Sequence, residues 1–474
     1  MKFIDELPLD DVTNCHQSSA SGWGRLDVHA RRVRTLYMET HRMIVISPNI
    51  YLRIRTMRDS PLLPGLKKIY IPYSPSRNVD LSSALFLASG STLNMVQLDR
   101  NAISDRQFFV PFLSLLYIRS PGLSHLSLRG VESSASVEPI YRFTELQSLE
   151  IRLCNSHLDP QLLHELGQLP HLLDLIIYTG DIVTSGSIQP DAALLANPIS
   201  TVSNSKFGQL RRLQFVGTTT SINCMLNELE GSTNLTALRI DEVRNGRVQV
   251  GTDPDGSWRS SFEFKVISTF SAVEDIEIAH HDASDFTGNH RHRIEHVISA
   301  SSLAPLYRLD KMKSFVFIDM VISGSDDDFR VLAASFPKLK KLVFPGQPLA
   351  FPIGGVFGGV GRTLACLYYL SQECPDLREV KIVLSFDISD NLNAIKNLPR
   401  PIVQNHHHPL KKLYIDSDFG QLELVQFGRV ARFLDLIFPN LSILETNNKK
   451  RTEAANWTEI NELRLVLQDA RSNP

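Results

Sequence analysis

The sequence predicts an α/β solenoid, in which short strands and helices alternate along the chain and stack on one another. Three observations predict this fold class: a recurrent apolar spacing, amphipathic segments ahead of several of its copies, and the number of copies. A short strand or a helix with one apolar face cannot bury that face alone. Neighbouring units must therefore cover it, as they do in a repeat protein.

The spacing is clearest at residues 374–382, CPDLREVKI, where Leu377, Val380 and Ile382 stand at positions one, four and six. Alternate side chains of a strand share a face, so the fourth and sixth residues point into the core. The first turns inward just before the strand. This pattern is the strand half of a leucine-rich repeat, and the apolar spacing of residues 362–373 predicts a short helix ahead of it.

The same spacing occurs thirteen times in succession, which is hard to obtain by chance. Successive copies lie from 23 residues apart (Leu123 to Leu146) to 39 residues apart (Val273 to Met312). A regular leucine-rich repeat has roughly 20–29 residues, so several copies contain insertions. The other copies are Leu66/Ile69/Ile71, Leu93/Val96/Leu98, Leu123/Leu126/Leu128, Leu146/Leu149/Ile151, Leu172/Leu175/Ile177, Leu210/Leu213/Phe215, Leu235/Leu238/Ile240, Val273/Ile276/Ile278, Met312/Phe315/Phe317, Leu339/Leu342/Phe344, Leu410/Leu413/Ile415 and a degenerate Leu441/Leu444/Thr446.

The repeats predict one domain, a leucine-rich-repeat solenoid over residues 23–474 that follows a loose polar segment at residues 1–22. We expect a curved horseshoe with a mostly parallel inner sheet and outer helices. Residues 23–60 are expected to form the N-terminal cap. Their first part carries Leu26 and Ala30 on one helical face and runs into a first strand.

Further elements are predicted inside and after the repeats. Residues 247–267 alternate in polarity around Asp255-Gly256, which predicts a β-hairpin insertion. Residues 457–470 are predicted to be a C-terminal capping helix, and its buried face should contain Ile460, Leu463, Val466 and Leu467. Other helices are predicted at residues 108–118, 159–169, 294–299, 326–336 and 425–438.

Composition argues against several classes of function. The chain has 49 basic and 51 acidic residues, whereas a nucleic-acid surface needs a clustered basic excess. No apolar run of about 18 residues could span a bilayer, and acidic residues stand where a signal peptide needs an apolar core. Five scattered cysteines without a CxxC pair indicate free thiols. We expect an intracellular protein, cytoplasmic or nuclear, that binds neither nucleic acid nor membrane.

Two histidine-rich stretches introduce a different function class, a metal-dependent hydrolase. They are residues 280–296 and the triplet at residues 406–408, but neither has an HExxH or CxxC spacing, and solvated loops are the simpler interpretation. The glycine-rich residues 354–361 lack the Gly-Lys-Ser/Thr of a phosphate-binding loop and indicate a linker. We find no catalytic constellation, and therefore expect a protein that is not an enzyme and has no catalytic residue, metal site or cofactor.

The residues that flank the inward positions of each strand are expected on the concave face of the horseshoe. Charges of both signs are interspersed there, which would suit a solvated sheet face as well as a binding surface. As a set, an extended face with Arg and Tyr is where a solenoid usually holds a protein partner. The candidate partner-binding residues are Tyr70, Asp99, Arg129, Glu150, Arg152, Tyr178, Arg239, Asp241, Glu277, Lys381 and Tyr414.

Nearly the whole chain resembles fungal F-box/leucine-rich-repeat proteins, particularly those of mushroom-forming fungi. The resemblance rests on residues 23–36 (WGRLDVHARRVRTL), 61–71 (PLLPGLKKIYI) and 83–98 (SALFLASGSTLNMVQL), and on the irregular repeats that continue through LSQECPDLREVKI to the C-terminus. The resemblance implies an F-box that binds the Skp-type adaptor of a cullin ubiquitin ligase, and repeats that select the substrate. The chain would then be the substrate-binding part of a ligase receptor. A ligase-independent binding scaffold is the alternative, because the mostly polar residues 1–22 cannot build an F-box.

Overall fold

The structure is a computed structural model. Its described residues fall into two compact units, divided between Leu172 and Leu173. The described residues are 27–37, 61–71, 92–99, 106–131, 134–154, 159–180, 207–244, 264–282, 296–344, 362–384, 388–398, 408–416, 423–446 and 451–472.

The first unit contains a parallel sheet whose strands follow chain order. Each strand pairs in parallel with the next, and the register places Ile69 beside Val96, and Leu126 beside Leu149. These are the fourth residues of successive repeats, so their side chains share one layer. The described strands are β1 (Thr35–Tyr37), β2 (Lys68–Ile71), β3 (Met95–Leu98), β4 (His125–Val131) and β5 (Ser148–Cys154).

The main sheet of the second unit is also parallel, and a two-stranded parallel sheet accompanies it. The main sheet runs in the order β6, β7, β8, β9, β11, β13, β14, β15 and β16 over the described residues, and β10 pairs with β12. The strands are β6 (Asp174–Gly180), β7 (Arg212–Gly217), β8 (Ala237–Arg244), β9 (Asp275–Asp282), β10 (His296–Ser299), β11 (Ser314–Ile318), β12 (Met320–Ser323), β13 (Lys341–Val343), β14 (Glu379–Val383), β15 (Lys412–Asp416) and β16 (Ile443–Glu445).

Helices connect the strands and pack against one another in chain order within each unit. Over the described residues, none of them is both long enough and apolar enough to cross a bilayer. The helices are α1 (Arg106–Arg119), a 3₁₀ helix (Ser134–Arg142) and α2 (Pro160–Leu166) in the first unit, and α3 (Thr219–Glu228), α4 (Phe264–Ile267), a 3₁₀ helix (Ala300–Arg308), α5 (Asp326–Ser335), α6 (Ala365–Glu373), α7 (Ile388–Lys396), α8 (Leu424–Ile437) and α9 (Arg451–Ser472) in the second.

A layer of parallel strands with connecting helices confirms the predicted α/β fold class, a leucine-rich-repeat solenoid. Burial agrees with the predicted repeat register, since Leu377, Val380 and Ile382, the first, fourth and sixth residues of one repeat, are all fully buried. In the same unit, Phe315, Phe317 and Phe344 pack edge to face with ring centroids 5.0–5.4 Å apart. This is the favoured geometry for aromatic pairs in a core. That the chain forms one curved horseshoe over residues 23–474 stays a prediction.

Capping residues that can be recognised in the sequence fix the starts of two helices through local hydrogen bonds. The carboxylate of Asp159 accepts the backbone N–H of Gln161 at 2.9 Å, and Pro160 takes the first position of α2, where no N–H is needed. At α5, Ser325 and Asp328 form a reciprocal capping box. These caps satisfy backbone donors that have no partner within the helix.

Only a small part of the predicted N-terminal cap is described in the structure, so the cap itself stays a prediction. Residues 27–30 are helical and lead into β1. The guanidinium of Arg34 donates to the carbonyl of Gly65 at 3.0 Å, and a Cβ at Gly65 would lie 2.5 Å from the carbonyl oxygen of Arg31. Only glycine permits so close an approach. Residues 1–22 and 38–60, which complete the predicted lead-in and cap, lie outside the described residues.

The prediction of a hairpin over residues 247–267 is wrong at its C-terminal end. Residues 264–267 are the helix α4, and Phe264, Val266 and Ile267 are buried. Phe264, Ile267 and the buried Phe270 recur every three residues, which is a helical spacing, so the alternation ends before Phe264. Residues 247–263 lie outside the described part of the chain. The predicted helix at residues 294–299 is also wrong, because residues 296–299 form β10.

The C-terminal helix exists and Ile460 is buried as predicted, but Val466 and Leu467 were wrongly placed on its buried face. Trp457, Ile460 and Arg464 are buried, whereas Val466 is 64% exposed and Leu467 is 37% exposed. α9 packs against α8 and β16. Arg464 Nη1 donates to the carbonyl of Leu441 at 2.7 Å, and Arg464 Nη2 donates to Asn461 at the same distance. Carbonyl groups of the last repeat therefore select polar side chains on this face.

Replacing Leu377 with Asp should lower the free energy of unfolding by at least about 3 kcal/mol, because a carboxylate would be buried without a partner. Urea and thermal denaturation measure the change. Val331→Asp is the matched control, since Val331 is 46% exposed on α5. It should cost less than about 1 kcal/mol. An unchanged melting curve for Leu377→Asp would contradict the repeat register.

Candidate partner-binding surface

The side chains between the buried positions lie on the opposite face of each sheet, where parallel register aligns them in rows. In the first unit one row contains Tyr70, Gln97, Ser127 and Glu150, each in register with the next. Neighbouring strands are roughly 4.8 Å apart, so side chains in one row reach each other directly. Polar residues at these positions are therefore expected to pair across strands.

Four of the predicted residues are linked in the first unit, together with Ser127. Both side-chain oxygens of Glu150 accept from Arg129, at 3.1 and 3.0 Å. Arg152 Nε donates to Glu150 at 2.7 Å, and the hydroxyl of Ser127 donates to it at 2.7 Å. Arg129 Nε also lies 4.0 Å from Asp99. We call Asp99, Ser127, Arg129, Glu150 and Arg152 the first-unit network.

Electrostatics in the first-unit network centre on Glu150, whose side chain is 13% exposed. Burial acts to raise its pKa, but hydrogen bonds from Arg129, Ser127 and Arg152 outweigh burial and hold the pKa below its usual value. The side chains of Arg129 and Arg152 are 35% and 40% exposed. The network thus presents two oriented guanidinium groups to solvent around a carboxylate that stays ionised.

A second set of predicted residues is linked in the second unit. Arg239 Nε donates to Asp241 at 3.1 Å, and Arg239 Nη1 lies 3.1 Å from a carboxylate oxygen of Glu277 on the next strand. The amide nitrogen of Gln214 donates to Asp241 at 3.3 Å and to the hydroxyl of Tyr178 at 3.4 Å. We call Tyr178, Gln214, Arg239, Asp241 and Glu277 the second-unit network. It joins β6, β7, β8 and β9.

The other three predicted residues are not members of either network. The hydroxyl of Tyr70 donates to the sulfur of Met95 at 3.4 Å, and its ring centroid lies 6.1 Å from that of Tyr37. Lys381 and Tyr414 are adjacent in register on β14 and β15, and both are half-buried. The structure therefore places all three in the aligned rows without joining them to the charged groups of the networks.

Sequence reasoning missed Ser127 and Gln214, which connect charged residues within the two networks. Both stand in register with residues that were predicted, Ser127 beside Glu150 and Gln214 beside Arg239. An uncharged hydroxyl or amide gives no charge signal in a sequence. Comparing equivalent positions of adjacent repeats could have found both, because each is a polar residue between the fourth and sixth apolar positions.

A buried acid–histidine pair lies on the neighbouring positions of β8 and β9. His280 Nδ1 donates to Glu242 at 2.9 Å, and the hydroxyl of Thr219 donates to the other oxygen of the same carboxylate. The side chains of His280 and Glu242 are 4% and 2% exposed. A catalytic triad would need the hydroxyl on the imidazole and open to substrate. This arrangement satisfies buried polar groups instead.

The histidine triplet contributes one described residue, His408, and it is also buried. Its Nε2 donates to the carbonyl of Cys374 at 3.2 Å, and its Nδ1 accepts the N–H of Leu410 at 3.3 Å. Its ring centroid lies 5.0 Å from that of Phe438. Burial lowers the pKa of His408 to about 4, although the bond to Cys374 acts to raise it. The ring is therefore neutral at physiological pH.

The metal hypothesis gains nothing from the residues that the structure describes, in which no three His, Cys, Asp or Glu side chains are grouped to hold an ion. His280 lies on strand β9 and not in the predicted loop. His290, His292, His406 and His407 lie outside the described residues, as do the glycine-rich residues 354–361.

No protein-family model matches the chain, and neither does any curated protein. Among solved structures, the chain is similar to a leucine-rich-repeat protein of Leptospira interrogans, with 12% identity and a TM-score of 0.39 over 89% of this chain and 97% of that chain. It is also similar to a chain of the yeast Rad7–Elc1 complex, with 10% identity and a TM-score of 0.33 over 78% and 82% of the two chains. Similarity this low says nothing about function.

Replacing Glu150 with Gln should lower the free energy of unfolding at pH 7 by about 1 kcal/mol, since both arginine partners are partly solvated. The pKa of Glu150 is lowered by folding, so its contribution is complete above about pH 4.3 and declines as pH falls through the folded value. Urea denaturation over a pH series measures this. Glu145→Gln, at an exposed position, is the control with equal charge change. Equal stabilities for the two variants would contradict the role of Glu150.

Replacing His408 with Gln should flatten the acid dependence of stability. The folded pKa of about 4 lies below the ordinary value of 6.5, so the unfolded chain binds the proton first. The wild type should therefore lose up to about 3 kcal/mol as pH falls from 6.5 to 4. Urea midpoints of both proteins across this range test the expectation. Parallel curves would show that His408 is not held neutral.

Proposed function

We propose that the polar face of the sheets binds a protein partner and that the protein acts by recognition, without catalysis. The observation that carries this proposal is that eight of the eleven predicted residues are already hydrogen-bonded or ion-paired in the first-unit and second-unit networks. Side chains held in one geometry lose little conformational freedom when a partner binds. Both networks also present partly exposed arginines, a residue type enriched at interface hot spots.

The expected partner surface is polar and carries charges of both signs. Glu150 and Asp241 are largely buried behind their arginines, so a partner meets mainly guanidinium edges, Tyr178 and the half-exposed Glu277. Acceptors such as backbone carbonyls and carboxylates suit the guanidinium groups. Arginine also stacks on aromatic rings, which adds apolar contact at the same positions.

We further propose that the chain is the substrate-binding part of an F-box-type ubiquitin ligase receptor. Support for this role comes from the resemblance of residues 23–36, 61–71 and 83–98 to fungal F-box/leucine-rich-repeat proteins. The role requires contact with a Skp-type adaptor and, through it, a cullin. A ligase-independent scaffold would use the same sheet face and lack those two partners.

Affinity purification of the chain from fungal extract, scored by mass spectrometry, should recover protein partners that are lost in the double variant Arg129→Glu/Arg239→Glu. Reversing these charges places two carboxylates beside Glu150 and Asp241 and removes the donors offered to a partner. The control is Arg330→Glu/Arg432→Glu, with exposed arginines on α5 and α8.

The outcomes separate the proposals. Partners retained by the double variant would contradict binding at the networks, provided that its circular dichroism spectrum matches the wild type. Recovery of a Skp-type adaptor together with a cullin supports the ligase role. Recovery of other proteins without these two overturns that role and leaves the binding scaffold.

A further inference from the structure

A row of cations lies along the start of three adjacent strands in the second unit. Lys340, Arg378 and Lys411 each stand immediately before a strand, at equivalent places in β13, β14 and β15. Backbone hydrogen bonds fix the alignment, from Arg378 N to the carbonyl of Lys340 at 2.8 Å and from Lys411 N to the carbonyl of Arg378 at 3.0 Å. We call these three residues the basic row. Their Cα atoms are spaced roughly 4.8 Å apart across the strands.

The basic row differs from its neighbours because none of its cations is held in an ion pair by a described acidic side chain, although Lys340 lies near enough to Asp275 to act on the pKa of that carboxyl. Before β11, Lys313 occupies the equivalent place and pairs with Glu274 at 2.6 Å. One position further along β13, Lys341 lies 3.8 Å from Glu379. Lys340, Arg378 and Lys411 are exposed, and they form no ion pair within the described part of the chain.

Three like charges on adjacent strands repel one another, which costs stability without any gain in core packing. The side chains are exposed, so the fold does not need cations at these positions. The whole chain has a formal net charge of -2, and the row is therefore a local feature rather than part of a general positive field. Such a local excess is best explained by an anionic ligand that offsets the repulsion when it binds.

We propose that the basic row binds an acidic segment of a protein partner, in which Asp or Glu carboxylates face the three cations. This rests on the proposed function, because the row borders the same sheet whose polar face is assigned to the partner. In an extended peptide, side chains on one face recur about every 6.6 Å, a distance that flexible Lys and Arg side chains can match. The row contains no aromatic residue to stack bases, which favours a peptide over single-stranded nucleic acid.

The test uses the full chain and a fluorescein-labelled peptide of alternating Glu and Ser, with binding followed by fluorescence anisotropy. The variant Lys340→Gln/Arg378→Gln/Lys411→Gln should bind the peptide about tenfold more weakly or worse, and wild-type binding should weaken as salt rises. The matched control is Lys396→Gln/Arg429→Gln/Arg432→Gln, which removes three exposed cations from α7 and α8. Its affinity should equal that of the wild type.

Loss of binding by the triple variant should not result from unfolding, because removing mutually repelling exposed charges should leave its melting temperature unchanged or higher. The double variant Lys340→Gln/Lys411→Gln, which keeps Arg378, should show an intermediate loss. Absence of wild-type binding, or equal losses in the row and control variants, would overturn the proposal. Stronger binding of a single-stranded oligonucleotide of equal charge would also overturn it, in favour of nucleic acid.

The same measurements distinguish this proposal from the broader one. If the chain captures partners through the two networks but does not bind the acidic peptide, only the basic row is refuted. If the acidic peptide binds through the row while the Arg129→Glu/Arg239→Glu variant captures every partner of the wild type, the row stands and the network assignment fails.

Discussion

Burial of the first, fourth and sixth residues of each repeat is the constraint on which the rest of the structure depends. A strand such as β14 turns only a few side chains inward, among them Val380 and Ile382, and cannot enclose a core without strands on both sides. Parallel pairing supplies those neighbours and places equivalent residues of successive repeats at the same height. The helices then cover the apolar side of the strands, and the polar side is left for contacts with solvent or a partner.

The same alignment also decides which polar side chains of adjacent repeats meet on the other face of the sheets. Residues two apart on one strand share a face, and parallel register brings in the equivalent residues of the next repeat. Glu150 meets Arg129 and Ser127 in this way, and Asp241 meets Gln214. The sign and pairing of charge on this face are therefore decided between neighbouring repeats. The net charge of the chain, which is close to zero, does not describe it.

The repeat register could be predicted because thirteen copies of one spacing constrain each other, and the polar face follows from it. Which polar residues pair could not be predicted, since pairing depends on register across insertions of variable length. The buried face of α9 was mispredicted for a different reason. Hydropathy favours Val466 and Leu467 as inward residues, but the carbonyl of Leu441 requires a donor, and Arg464 supplies it. A backbone carbonyl that needs a hydrogen-bond donor cannot be recognised from the spacing of apolar residues.

The polar attachment of α9 also determines how the second unit opens. Besides Trp457 and Ile460, the helix is held by hydrogen bonds from Arg464, Gln468 and Arg471. Water can replace each such bond at a net cost of about 1 kcal/mol, whereas no solvent molecule can replace the neighbours of an inner strand. The C-terminal turns of α9 therefore form a region of low local stability that can fray while the repeats stay folded. Amide hydrogens there should exchange with solvent long before those of β14.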